Sequence, residues 1–247
     1  MAKRESGPPA YPVPVVPARL TYVFLALTVG VFLLQWVSEL LVGFDVVTGL
    51  GLKDNASIAA GQYWRMITPV FLHAGPTHLI FNMYALYSLG PQVEGPFGYQ
   101  RFGLTYLLTG VSGVALSMAL NPIDSVGASG AIFGLVGALG VYLYRHRQAF
   151  GAFGRTRLSN VLTIVVINFL IGLSPRIDNW GHLGGLLGGA ALAALTGPRL
   201  GLRTDPESGQ VRVVDGSSQS SRLRGVTLFC LGLILFIVAV IRFRAAG

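Results

Sequence analysis

Ser129, His182, His78 and Asn82 are side chains whose types and spacing could together hydrolyse an acyl bond. Ser129 lies in Gly127-Ala128-Ser129-Gly130, and His182 lies in Gly181-His182-Leu183-Gly184-Gly185. A serine hydroxyl is a poor nucleophile at neutral pH unless a base takes its proton, and imidazole has a suitable pKa for that task. His78 and Asn82 are four residues apart, so on a helix they share one face and can aim at one point. Aimed at a carbonyl under attack by Ser129, they would donate to the oxyanion of the tetrahedral intermediate, helped by the Ser129 N–H at a helix start. Each piece alone has a plainer reading: serine as a helix N-cap, glycines as packing residues, buried His and Asn as structural polar groups. The functional reading rests on their convergence. No third acid is obvious, because Asp178 and Asp124 fall in short polar loops where carboxylates need no special role. A Ser-His dyad is therefore expected, its ring oriented by packing against Phe133, one helical turn after Ser129.

The elements that must position these groups are membrane helices. Of the residues, 52% are hydrophobic and only 11% charged, and the mean hydropathy is +0.62, which makes a soluble enzyme a poor account. Apolar runs fall at about 20–41, 77–92, 101–120, 128–144, 158–173, 180–196 and 225–241, the middle ones short enough to leave room for a polar cavity. The expectation is an all-α, polytopic membrane helix bundle of six helices (20–200) plus a seventh. A Pro-rich disordered tail (1–19) precedes it, and a flexible cytoplasmic linker (201–224) leads to the C-terminal helix (225–247). With the N-terminus cytoplasmic, 13 of the 18 Lys and Arg fall inside, with Arg242 and Arg244 as mild dissenters. The second, fourth and sixth spans then run from outside to inside, so their starts, which carry His78, Ser129 and His182, meet at the extracytoplasmic face. Small-residue stripes, Gly130 and Gly134 on one span and Gly181, Gly185 and Gly189 on another, would let two backbones approach closely.

Other classes fit less well. The net charge of +8 is concentrated in the joints between apolar runs, so topology explains it and nucleic acid is not an expected partner. His146, between Arg145 and Arg147, reads as a charged flank. Cys230 alone builds neither a disulfide nor a metal site, and His73 and His78 lack the His-Glu-x-x-His pattern of a zinc hydrolase, so no metal or cofactor is expected. A transporter would call for ionisable residues deep in the bundle rather than at one mouth.

With these residues in hand, the sequence resembles the rhomboid family of intramembrane serine proteases from about Gly61 to Leu187. The resemblance is carried by Trp64-Arg65, by Phe71-Leu72-His73-Ala74-Gly75 followed by His78 and Asn82, and by Glu94 between Gly90 and Gly98. The Ser129 and His182 segments complete it. It implies a rhomboid-like six-helix core, here with one helix more, and cleavage of peptide bonds in or beside transmembrane segments of membrane-protein substrates within the lipid bilayer. It further implies that Ser129 is nucleophile, His182 base and then acid, and His78 and Asn82 oxyanion donors. His73 corresponds to a structural histidine at the outer edge, and Phe133 to an aromatic that stacks on the base. A multi-pass protein of a bacterial plasma membrane, with the site facing the extracytoplasmic side, is the expected setting. A relative that binds transmembrane helices as a chaperone without cleaving them is the alternative, and the presence of both Ser129 and His182 weighs against it.

Overall fold

The structure, a computed structural model, describes residues 13–172, 174, 177–207 and 209–246. Its helices are α1 (Leu20–Val42), α2 (Val46–Gly51), α3 (Asn55–Ala59), α4 (Pro76–Phe97), α5 (Tyr99–Leu120), α6 (Ser129–Arg145), α7 (Arg147–Ile171), α8 (Asn179–Thr196) and α9 (Gln219–Ala246). Two 3-10 turns, Tyr63–Met66 and Thr68–Phe71, lie between α3 and α4. The fold is an all-α polytopic membrane bundle. α1, α5 and α9 are each long and apolar enough to cross a membrane on their own, and α6 is a shorter apolar helix.

Polar residues set the helix ends. α1 is capped by another helix: the buried Glu94 carboxylate of α4 accepts from the N–H groups of Arg19, Leu20 and Thr21 at 2.7–2.8 Å and from the Thr21 hydroxyl at 2.6 Å. A negative charge there satisfies donors that have no intrahelical partner and meets the positive end of the α1 dipole. Gly90, one turn before Glu94, lets Thr21 approach, since a Cβ at Gly90 would lie 2.5 Å from that side chain. Asp45, Asp54 and Asp178 cap α2, α3 and α8 through their own carboxylates. Gly98, at φ 76°, makes the sharp junction between α4 and α5. Arg145 donates to Ala193, Ala194 and Gly197 carbonyls at the end of α8, and Arg244 to Met118 and Ala119 carbonyls at the end of α5. The dissenting charge of Arg244 is thus spent on a helix C-terminus, where a cation is favoured.

The core lies among α4, α5, α6 and α8, around Leu86, Phe102, Tyr106, Ala131 and Leu135. α9 stands on the outside, against α8 and α5, with Leu228, Leu231 and Leu235 exposed.

Several expectations are revised. Residues 1–12 of the Pro-rich tail lie outside the described residues, as do Lys3, Arg4 and Arg176 of the charge count. Residues 13–19 run along α4, with Val16 N–H donating to Gly95 O at 3.0 Å, rather than as a free solvated leader. The stretch 201–224 is not a bare linker. An antiparallel hairpin pairs β1 (Leu200–Thr204) with β2 (Val211–Asp215), and α9 already begins at Gln219. The β-branched run Val211-Arg212-Val213-Val214 supplies the strand, and Asp215 ties it to the bundle by an ion pair with Arg101. α7 begins well before 158, with a break at Gly151 (φ 53°).

Candidate active site

α6 and α8 meet backbone to backbone. A Cβ at Gly185 would lie 1.9 Å from Gly130 O, one at Gly189 1.9 Å from Gly134 O, and one at Gly137 2.2 Å from Leu186 O. Both helices advance by four residues between the first two contacts, so they run parallel in a fixed register. Their starts therefore share one end of the bundle. Ser129, the first residue of α6, and His182, in the first turn of α8, open on one cavity of about 840 Å³ with His78, Phe81, Ser125 and Asp178.

The His182 ring is held by stacking. Phe133 lies parallel to it, centroids 4.4 Å apart and planes at 13°, and Phe169 of α7 meets it edge-on at 6.5 Å. His182 is buried, and its Nδ1 has no hydrogen-bond partner among the described residues. Asp178 is occupied elsewhere: it accepts from the Ser117 hydroxyl, Ser125 Oγ (2.8 Å), Asn121 Nδ2 (3.1 Å) and Gly181 N–H (3.0 Å). Burial alone would raise the Asp178 pKa, but these four donors together hold it below the ordinary carboxylate value. The acid is a helix cap and loop clamp, and among the described residues no carboxylate is hydrogen-bonded to the imidazole Nδ1.

His78 approaches Ser129 across Gly127. A Cβ at position 127 would sit 2.9 Å from His78 Nε2, 2.7 Å from its Cε1 and 3.8 Å from Ser129 Oγ, and Gly127 itself has φ 134°. Both the space and the backbone conformation exclude a side chain there. Ala74 N–H donates to His78 Nδ1 over a long 3.5 Å. An acceptor at Nδ1 leaves the proton of the neutral ring on Nε2, the nitrogen that faces the Ser129 side. Asn82 lies one turn deeper, buried and outside the residues lining the cavity, with its amide donating to His78 O at 3.0 Å. One N–H of that amide is left over. Ser129 and His182 share the cavity without a hydrogen bond between them among the described residues. Catalytic pairs are often long before substrate arrives and tighten in the complex.

The loop between α1 and α4 props this constellation from outside. Arg65, buried, donates to Gln62 Oε1, Leu52 O and Gly49 O at 2.7–2.9 Å, and Trp64 Nε1 donates to Leu50 O at 2.9 Å. His73 is buried in T-shaped contact with His78 at 5.0 Å, and its backbone pairs with the Gln35 amide in both directions. Burial first, and the neighbouring His78 second, push the His73 pKa down from 6.5 to about 4.

Sequence reasoning missed several of the props. Lys53 is fully buried and donates to Asn121 O (2.9 Å) and Ile123 O (2.7 Å), while its backbone pairs with Ser125. It thereby pins the chain that leads into Ser129. Burial lowers its pKa. A polar Gln35 inside an apolar run, and the single lysine of the loop between α1 and α4, were the available signals. His146, expected as a charged flank, is instead buried between Tyr142 and Phe150, with Nε2 3.0 Å from Pro198 O and its pKa lowered by burial.

Comparison with known proteins adds an independent line. The family model for the Rhomboid domain matches residues 60–199. Rhomboid protease GluP of Bacillus subtilis is 42% identical over 183 residues, which cover 73% of this chain and 36% of that protein. RHOMBOID-like protein 6, mitochondrial, of Arabidopsis thaliana is 37% identical over 194 residues, 78% of this chain and 61% of that protein. The chain thus spans less than two thirds of either relative's length.

Proposed function

Since the chain belongs to the rhomboid family, we propose that it is an intramembrane serine endopeptidase that hydrolyses peptide bonds in or near the transmembrane segments of membrane proteins through a Ser129-His182 dyad. The observation that carries this reading is the opening of Ser129 and His182 onto one cavity, at the start of two helices locked by glycine contacts. Ser129 Oγ attacks the substrate carbonyl carbon while the His182 imidazole takes its proton. The negative oxygen accepts from His78 Nε2–H, from the spare N–H of Asn82 and from the Ser129 N–H at the start of α6. Collapse expels the amine, which takes its proton from the His182 imidazolium. Water, deprotonated by His182, then attacks the acyl-enzyme and frees Ser129. Stacking on Phe133 does for the imidazole what a third acid does elsewhere: it fixes the plane in which the proton moves.

In the proposed topology seven helices cross the membrane, the N-terminus is cytoplasmic and the cavity opens toward the extracytoplasmic rim. The apolar α1, α5 and α9 and the clustering of arginines at the opposite end support it. The presence of both Ser129 and His182 favours hydrolysis over non-proteolytic binding of transmembrane helices. Ser129→Ala is expected to abolish cleavage of a membrane-anchored substrate in liposomes while leaving thermal unfolding unchanged. Undiminished turnover by that variant would reject the nucleophile.

A further inference from the structure

At the end of the bundle away from Ser129, a second cavity of about 350 Å³ lies between the first turns of α5 and α9 and the last turns of α8. α5 alone separates the two ends by about 30 Å. Arg101 and Arg222 line this cavity with Gln219 at its polar side, and Leu104, Leu192 and Val226 line its apolar side. Arg101 is 8% exposed, and the Nε of both arginines is buried with no hydrogen-bond partner among the described residues. Asp215 offsets Arg101, and among the described residues no carboxylate lines the cavity. Gln219 is the first residue of α9, so the positive end of a long helix faces the same space.

A buried guanidinium N–H without a partner is costly, and here two line one cavity beside a helix N-terminus: the Nε of Arg101, whose terminal nitrogen is held by Asp215 and Ser217, and the Nε of Arg222. That arrangement is an anion receptor. We propose that this cavity binds a phosphate-bearing anion, its oxygens taking the free guanidinium N–H groups of Arg101 and Arg222. The leucine and valine wall suits the glycerol and upper acyl carbons of a phospholipid, and the position at the arginine-rich end of the bundle matches an anionic headgroup layer. Free phosphate carries the same chemistry without the need for that wall.

The test uses the full-length chain in neutral detergent, with native mass spectrometry and thermal unfolding in the presence of phosphatidylglycerol, phosphatidylcholine or inorganic phosphate. Phosphatidylglycerol is expected to be retained as one bound lipid and to raise Tm, with phosphatidylcholine doing neither. In Arg222→Gln, whose side chain has no ion pair to lose among the described residues, affinity for phosphatidylglycerol should fall on the order of tenfold. Arg101→Gln should show the same loss, and Asp215→Asn, which breaks the same ion pair but keeps both guanidiniums, should not. A Tm rise with inorganic phosphate that is abolished in Arg222→Gln would identify the free ion as occupant. Equal responses to phosphatidylglycerol and phosphatidylcholine with none to phosphate, or unchanged affinity in Arg222→Gln, would overturn the site.

Discussion

The α6–α8 interface and helix α7 border the same imidazole but are built in opposite ways. Between α6 and α8, glycines bring backbone against backbone in a register that has no slack, because even one methyl group would collide with a carbonyl oxygen. α7 packs along α6, leaves Leu162, Ile164, Val166, Ile167 and Leu170 facing outward, breaks at Gly151, and meets the His182 ring edge-on through Phe169. The difference teaches where precision is needed. A nucleophile and its base must hold their separation to a fraction of an ångström, so their two helices are fixed at the backbone. The flank need only supply apolar surface, and side-chain contacts suffice.

The contrast can be broken at several strengths. The largest effect is expected from Gly185→Ala, which drives a methyl group into Gly130 O; a loss of about 3 kcal/mol or more in detergent unfolding should take activity with it. A tolerated alanine there would mean the register is not fixed by glycine. Asn82→Ala should leave the helices packed yet lower kcat on the order of 100-fold with little change in KM, whereas a pure KM defect would remove Asn82 from the oxyanion site. A smaller effect concerns acid. The folded-state pKa of His73 is depressed, so between about 4 and 6.5 the unfolded chain binds the proton first and stability falls as pH falls through that window. His73→Phe, which replaces a ring whose nitrogens have no hydrogen-bond partner among the described residues, should shrink the drop in Tm between pH 7 and pH 5. An unchanged drop would shift the cause to other groups. Val166→Ala on α7 should be nearly silent, within about 0.5 kcal/mol, and a large loss would show that the flank is as tightly held as the core.

The long apolar runs and the shared end of Ser129, His182 and His78 were legible because both follow from simple rules: bilayer length for the helices, and alternation of direction for the starts. The glycine stripes were legible for the same reason, since four-residue spacing marks a helix face, and Gly185 and Gly189 do meet Gly130 and Gly134. The supports were not. That Glu94 caps α1 depends on a contact between residues more than seventy positions apart, and Lys53 reaches the chain before Ser129 by a fold of the first loop that no periodicity announces. Asn82 shows the limit of spacing alone: it shares a face with His78, but its amide turns back to the His78 carbonyl and lies outside the cavity lining. The hairpin of 200–215 was hidden because Ser, Gly and mixed charge surround one short strand of β-branched residues, and its partner, Leu200–Thr204, carries only Thr204 of that type.

The central claim is that Ser129 and His182 act as one unit. Labelling of the purified chain with a serine-directed fluorophosphonate measures this without knowledge of the substrate. The account predicts one label, on Ser129, lost in Ser129→Ala and slowed on the order of 100-fold in His182→Ala. Label on another residue, or an undiminished rate without the imidazole, would contradict it.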